Sequence, residues 1–139
     1  MSRIVRTERE ARAWIRVLIR NGATRIPPDG IAVKGHCVGL VGRAFCNGPA
    51  GYYDAHSMID SIRKAGKLRI GKPPVGSLVL WRGGRHGHVA VMGTFGYILT
   101  VDLPRSGKVG RVKRSLPRTL WGYREVGWCY ATDVPGWHR

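Results

Sequence analysis

Apolar residues recur along the chain with two different periods, and the change falls near residue 76. Over residues 8–21, Ala11, Trp14, Val17 and Leu18 repeat at helical spacing. Thr7 and Glu10 stand ahead of them in capping-box order, and Gly22 follows as a stop signal. A second helix is expected over about 53–65, with Ala55, Met58, Ile59 and Ile62 on one face and Gly66 after it. Between the two, a short apolar run beginning at Cys37 has the length to wind as a helix, with 46–51 as the loop that closes it. From Ser77 onward the pattern becomes short apolar runs at 78–81, 88–92, 97–101, 109–112 and 123–130, separated by Gly, Pro and Asp, which reads as strands. Helices first and consecutive strands afterwards predict an α+β domain with an antiparallel sheet.

Length and charge narrow this picture. The 139 residues suit one domain, 1–139, able to bury about 68–70% of its unfolded surface. Residues 1–30 form the first helix and a turn-rich connector, 31–130 the core, and 131–139 a tail in which Trp137 is expected to be free. Lys and Arg number 24 against 8 acidic residues, a net charge of +16, so an anionic partner is expected. Nucleic acid, an anionic membrane surface and a cell wall bearing carboxylates and phosphodiesters all satisfy charge alone. Arg9, Arg12, Arg16 and Arg20 read as a solvated helix face, and 105–114 is the densest basic stretch. The charged start has no signal-peptide core, and no run approaches 18 apolar residues, so the expectation is a protein made in the cytoplasm without a transmembrane segment. Three cysteines, an odd number, argue against a disulfide scaffold.

The chemistry gathers at Gly35-His36-Cys37. Free N–H groups at a helix start carry partial positive charge, which favours thiolate over thiol and would also hold a developing oxyanion. A core cysteine needs neither the flanking glycines, Gly35 and Gly39, nor the polar Lys34 and His36. Cys46 and Cys129 lack such a setting and read as packing residues. Downstream, His86 and His88 open an apolar run; if both lay in a strand they would share a face. A His-x-His pair also suggests a metal, but there is no Cys-x-x-Cys pair and no nearby carboxylate in sequence, so no metal and no cofactor is expected.

The segments GHCVGLVGRAF (35–45), PPVGSLVLW (73–81), GHVAVM (87–92) and VDLPRSGKVGR (101–111), in that order, resemble the CHAP and NlpC/P60 group of cysteine peptidoglycan hydrolases, most of all the versions in phage lysins. The resemblance spans roughly 31–128 and departs at His36, where Gln is frequent, and at Val75-Gly76-Ser77, where Pro-Gly-Asp is typical. It implies a papain-like domain, hydrolysis of a wall amide bond, and action on the wall after release or as a virion component. The Gly-His-Val-Ala motif assigns the base to His88 and leaves His86 at the rim. Asp102, ending the run 97–101, is the expected partner that orients His88, with a turn-forming role as its alternative. His36, His86 and Trp81, with Arg105 and Lys108 of the basic loop, are the expected substrate contacts. Expected partners are peptidoglycan and anionic wall polymers, with nucleic acid secondary and the chain a monomer. The alternative function is a basic binding or virion-associated protein that holds wall polymer or nucleic acid on the same scaffold without turnover.

Overall fold

The computed structural model describes residues 2–139. In chain order the elements are β1 (Ser2–Arg3), α1 (Glu8–Arg20), β2 (Arg25–Ile26), β3 (Ile31–Ala32), α2 (Cys37–Cys46), α3 (Ala55–Lys64), β4 (Leu78–Arg82), β5 (His88–Met92), β6 (Tyr97–Val101), β7 (Val109–Lys113), α4 (Leu116–Trp121), β8 (Arg124–Cys129), a 3-10 turn at Ala131–Asp133, and β9 (Trp137–His138). Strands β4 to β8 form one five-stranded antiparallel sheet in the order β7-β6-β5-β4-β8. This is the α+β architecture that the two periods predict.

Side chains alternate across the sheet. Leu78, Leu80, Val89, Val91, Leu99 and Val101 face the helices and pack with Ala11, Ile15, Leu18, Leu40, Val41, Phe45, Met58, Ile59 and Ile62. The residues between them, Val79, Trp81, Ala90, Met92 and Ile98, turn to the opposite face, where Leu116, Trp121 and Tyr123 cover them. A sheet buried on both faces explains why its strands read as unbroken apolar runs. Helix α2 is buried nearly all round, as its apolar sequence demands.

Local signals fix several boundaries. The Glu10 N–H donates to Thr7 Oγ1 at 3.2 Å and the Thr7 N–H to Glu10 Oε1 at 2.9 Å, closing the expected capping box. Helix α3 starts two residues later than expected, because the Asp54 side chain accepts from the Ser57 N–H at 2.8 Å and so acts as N-cap. On α1 the inward residues are Ala11, Ile15 and Leu18; Val17 is exposed and Trp14 half-buried, with the Arg6 guanidinium over its ring.

Other expectations change. Cys46 is the last residue of α2 rather than part of a loop. The close backbone approach along α2 falls at Gly42, where a Cβ would sit 2.6 Å from the Ala50 nitrogen, rather than at Gly39, which meets side chains. Helix α4 was not anticipated. The tail is no free appendage: β9 pairs in parallel with β1, Trp137 is buried, and its indole N–H donates to the Ala50 carbonyl at 2.8 Å.

Candidate active site

The chain reaches Cys37 through a turn that holds it in place. Gly35 adopts φ +75°, a region that favours glycine, and its N–H donates to Asp102 Oδ2 at 2.7 Å. His36 is the N-cap of α2, but its side chain makes no capping bond; its Nδ1 lies 2.7 Å from the Ala32 carbonyl oxygen instead. The first amides of the helix are therefore left to the cysteine. Burial pushes the Cys37 thiol up to about 11, and Asp102 adds to the rise, while the N–H groups of Val89, Val38 and Cys37 itself pull the other way. The resting group is a neutral thiol whose sulfur rests against the Val89 amide.

Val89 follows His88, so Cys37 lies one residue from the expected base. The His88 ring turns to the opposite sheet face and is 4% exposed, 5.8 Å from the ring of Trp81 and 5.1 Å from that of Trp121. Its Nε2 is 2.7 Å from Thr100 Oγ1, and the same hydroxyl reaches the Val89 carbonyl at 3.2 Å. A hydroxyl has one proton. Both contacts are satisfied together only if Thr100 donates to the carbonyl and accepts from the Nε2–H, which leaves the lone pair on Nδ1, the nitrogen nearer the backbone. Burial lowers His88 to about 4, against the pull of the Asp102 charge, so the ring is neutral near pH 7. No hydrogen bond joins thiol and ring, which lie on opposite faces of the sheet.

Asp102 does not orient His88. Its carboxylate accepts from the Gly35 N–H and, at 2.8 Å, from the Gly107 N–H, tying the cysteine turn to the basic loop. Its backbone has φ +64°, so the chain leaves the strand direction there. Thr100, two residues earlier on β6, takes the ring nitrogen. The turn-forming alternative for Asp102 is the one the hydrogen bonds support.

The thiol forms part of the floor of a cleft of about 550 Å³, lined also by His36, Tyr53, Asp54 and His86. Of the five expected substrate contacts, His36 and His86 line it. Trp81 is 1% exposed and faces the aromatic side of the sheet. Arg105 projects from the basic loop, and Lys108 donates through Nζ to the Gly22 carbonyl at 2.7 Å, fastening that loop to the end of α1. Neither reaches the cleft.

His86 and His88 do not share a face, because β5 begins at His88 and His86 still belongs to the preceding turn. The start of α3 holds that turn, the His56 N–H donating to the His86 carbonyl at 3.0 Å. The His86 Nδ1 is 2.9 Å from Asp54 Oδ2, and the edge of Tyr53 packs on the ring with centroids 5.5 Å apart. Burial works to raise the Asp54 carboxyl, but hydrogen bonds from His86 and Ser57 hold it below the ordinary carboxylate range. Asp54 and Thr100 are the residues sequence reasoning missed. Asp54 carried an N-cap signal; Thr100 carried only its position two residues before Asp102.

The cleft wall is stiffened by Arg43, which is buried and makes a two-point pair with Asp29 at 3.0 and 2.6 Å. A larger groove of about 710 Å³ lies near the N-terminal segment, between Arg3, Arg6, Glu8 and Arg139, and contains none of these groups. No group of three or more metal-binding side chains occurs among the described residues, and no helix there is long and apolar enough to cross a membrane. Comparison of the chain with protein-family models, curated proteins and solved structures returned no match.

Proposed function

We propose that the protein is a cysteine hydrolase of papain-like type that cleaves an amide bond of bacterial peptidoglycan, and that it acts as a phage-type lysin. The observation that carries the chemistry is the Cys37 sulfur at the first turn of α2, in an open cleft and against the amide next to His88. Cys37 attacks the substrate carbonyl as its proton passes to a histidine, which the sequence resemblance assigns as His88 although that ring lies on the sheet face away from the thiol. The amides of Cys37 and Val38 at the helix start stabilise the oxyanion. Thr100 fixes the ring tautomer, and Asp102 stabilises the imidazolium through its charge. No cofactor takes part in these steps. The substrate assignment rests on the sequence resemblance and on the charge of +16, which suits an anionic wall.

Purified peptidoglycan incubated with wild type and with Cys37→Ser tests the reading. New amino groups with wild type only are expected, and their position in the fragments identifies the bond. Cleavage by Cys37→Ser equal to wild type would overturn it.

One observation favours a binding protein without turnover: the thiol and the imidazole are both buried and both neutral at rest. Tight retention on walls or on duplex DNA, with no release of amino groups, is the outcome that reading requires.

A further inference from the structure

The hairpin tip between β5 and β6 carries a residue that its backbone disfavours. The Tyr97 N–H donates to the Thr94 carbonyl at 3.2 Å, closing a turn whose central residues, Phe95 and Gly96, have φ +58° and +77°. Positive φ at both positions favours Asn-Gly, and a bulky side chain at the first is strained. Phe95 is also 90% exposed, so its ring gains little from packing to offset that strain. Strain of this kind gathers where a side chain serves a ligand.

The ring lines a pocket of about 530 Å³ that shares no residue with the cysteine cleft. The carboxylate in this pocket, Glu125, is already matched: the Arg114 guanidinium donates to both its oxygens, at 2.7 and 2.9 Å. Lys113 and Arg118 line the pocket too. Both are exposed, and among the described residues neither side chain makes an ion pair. The neighbouring Tyr97 ring has the Arg111 guanidinium over it, 4.0 Å from the centroid. What remains is one open aromatic face beside two unmatched cations.

We infer that this pocket binds single-stranded nucleic acid, with a base stacked on Phe95 and adjoining phosphates held by Lys113 and Arg118. The inference is independent of the hydrolase reading. Charge alone draws any polyanion, and duplex most strongly, because its charge density along the axis is higher. In a duplex, however, each base is already stacked, whereas a single strand can lay one on the ring. A sugar-phosphate wall polymer meets the cations but has no flat unsaturated ring to match Phe95.

The test is fluorescence anisotropy, over a salt series, with a labelled thymidine oligomer about 20 nucleotides long and with its duplex. Tighter binding of the single strand is expected throughout. Phe95→Asn suits the turn while removing the ring, so it should keep or raise the urea midpoint. It should weaken single-strand binding about 10-fold and leave duplex binding within about twofold. Phe95→Trp should behave as wild type, and Phe95→Leu as Phe95→Asn. Lys113→Gln combined with Arg118→Gln should flatten the logarithmic salt slope for the single strand by about 1.4. Duplex binding as tight as single-strand binding, or single-strand binding indifferent to Phe95→Asn, would leave only bulk charge and overturn the inference. Wild-type affinity in Phe95→Leu, the result expected of insertion into a lipid surface, would also overturn it. So would Phe95-dependent binding to purified wall polymer with none to the oligomer.

Discussion

The two sides of β5 make a useful comparison. On one, His86 sits among Asp54, Tyr53 and solvent; on the other, two residues along, His88 sits among Trp81, Trp121 and Thr100. The residue type is the same and the chemistry differs. A carboxylate and open solvent surround His86, whereas the apolar enclosure strips His88 of charge and Thr100 fixes its tautomer. Position relative to the start of a strand, not spacing in sequence, decided which imidazole received which environment.

The strongest way to break this comparison is to remove the sulfur that shares the cleft with His86. Cys37→Ser is expected to lower peptidoglycan hydrolysis by about 10³-fold or more, measured as amino groups released. Cys46→Ser, at the far end of α2, should stay within about twofold. Loss in the second variant and not the first would move the site elsewhere.

Acid sharpens the comparison next. His88 drops from 6.5 to about 4 in the folded chain, so the unfolded chain takes up this proton first as pH falls. Stability is therefore full above pH 6.5 and declines toward pH 4, by on the order of 3 kcal/mol from this group. Urea unfolding at pH 7, 5.5 and 4.5, in wild type and His88→Gln, reads the difference. A decline of equal size in both would show that His88 is not the group responsible. In NMR its C2–H signal should titrate near 4, and a midpoint near 6.5 would mean an open ring rather than an enclosed one.

Packing gives an intermediate effect away from the chemistry. Gly42→Ala would bring a Cβ to 2.6 Å from the Ala50 nitrogen and 2.7 Å from the Gly48 carbonyl, both backbone atoms that yield little. A loss of about 1–3 kcal/mol is expected, seen as a lower urea midpoint. An unchanged midpoint would show that the 48–50 loop does not press on α2.

The smallest expected effect separates the two partners proposed for the ring. Thr100→Val removes the acceptor for the Nε2–H and should cut kcat about 10-fold, with Thr100→Ser restoring most of it. Asp102→Asn keeps one of the two oxygens that accept backbone N–H groups, so it should cost about 1 kcal/mol of stability and less of kcat. A larger fall in kcat for Asp102→Asn than for Thr100→Val would reverse the assignment.

Much of this molecule was legible in its sequence because the rules involved act over a few residues. Short apolar runs bounded by Gly and Asp placed β5 and β6 residue for residue, and helical spacing with Thr7 and Glu10 placed the start of α1. The run after Gly35-His36 placed Cys37 at a helix start, since a glycine turn and an apolar stretch settle that locally. Only the tertiary structure decided the rest. Which histidine faces the cleft depends on where β5 begins pairing with β4. Thr100 rather than Asp102 holds the His88 ring because the chain turns at φ +64° before the carboxylate can follow the strand. Trp137 is buried because β1, more than 130 residues away in sequence, pairs with β9 beside it. Each depends on contacts between distant segments, which no pattern confined to a few neighbouring residues can encode.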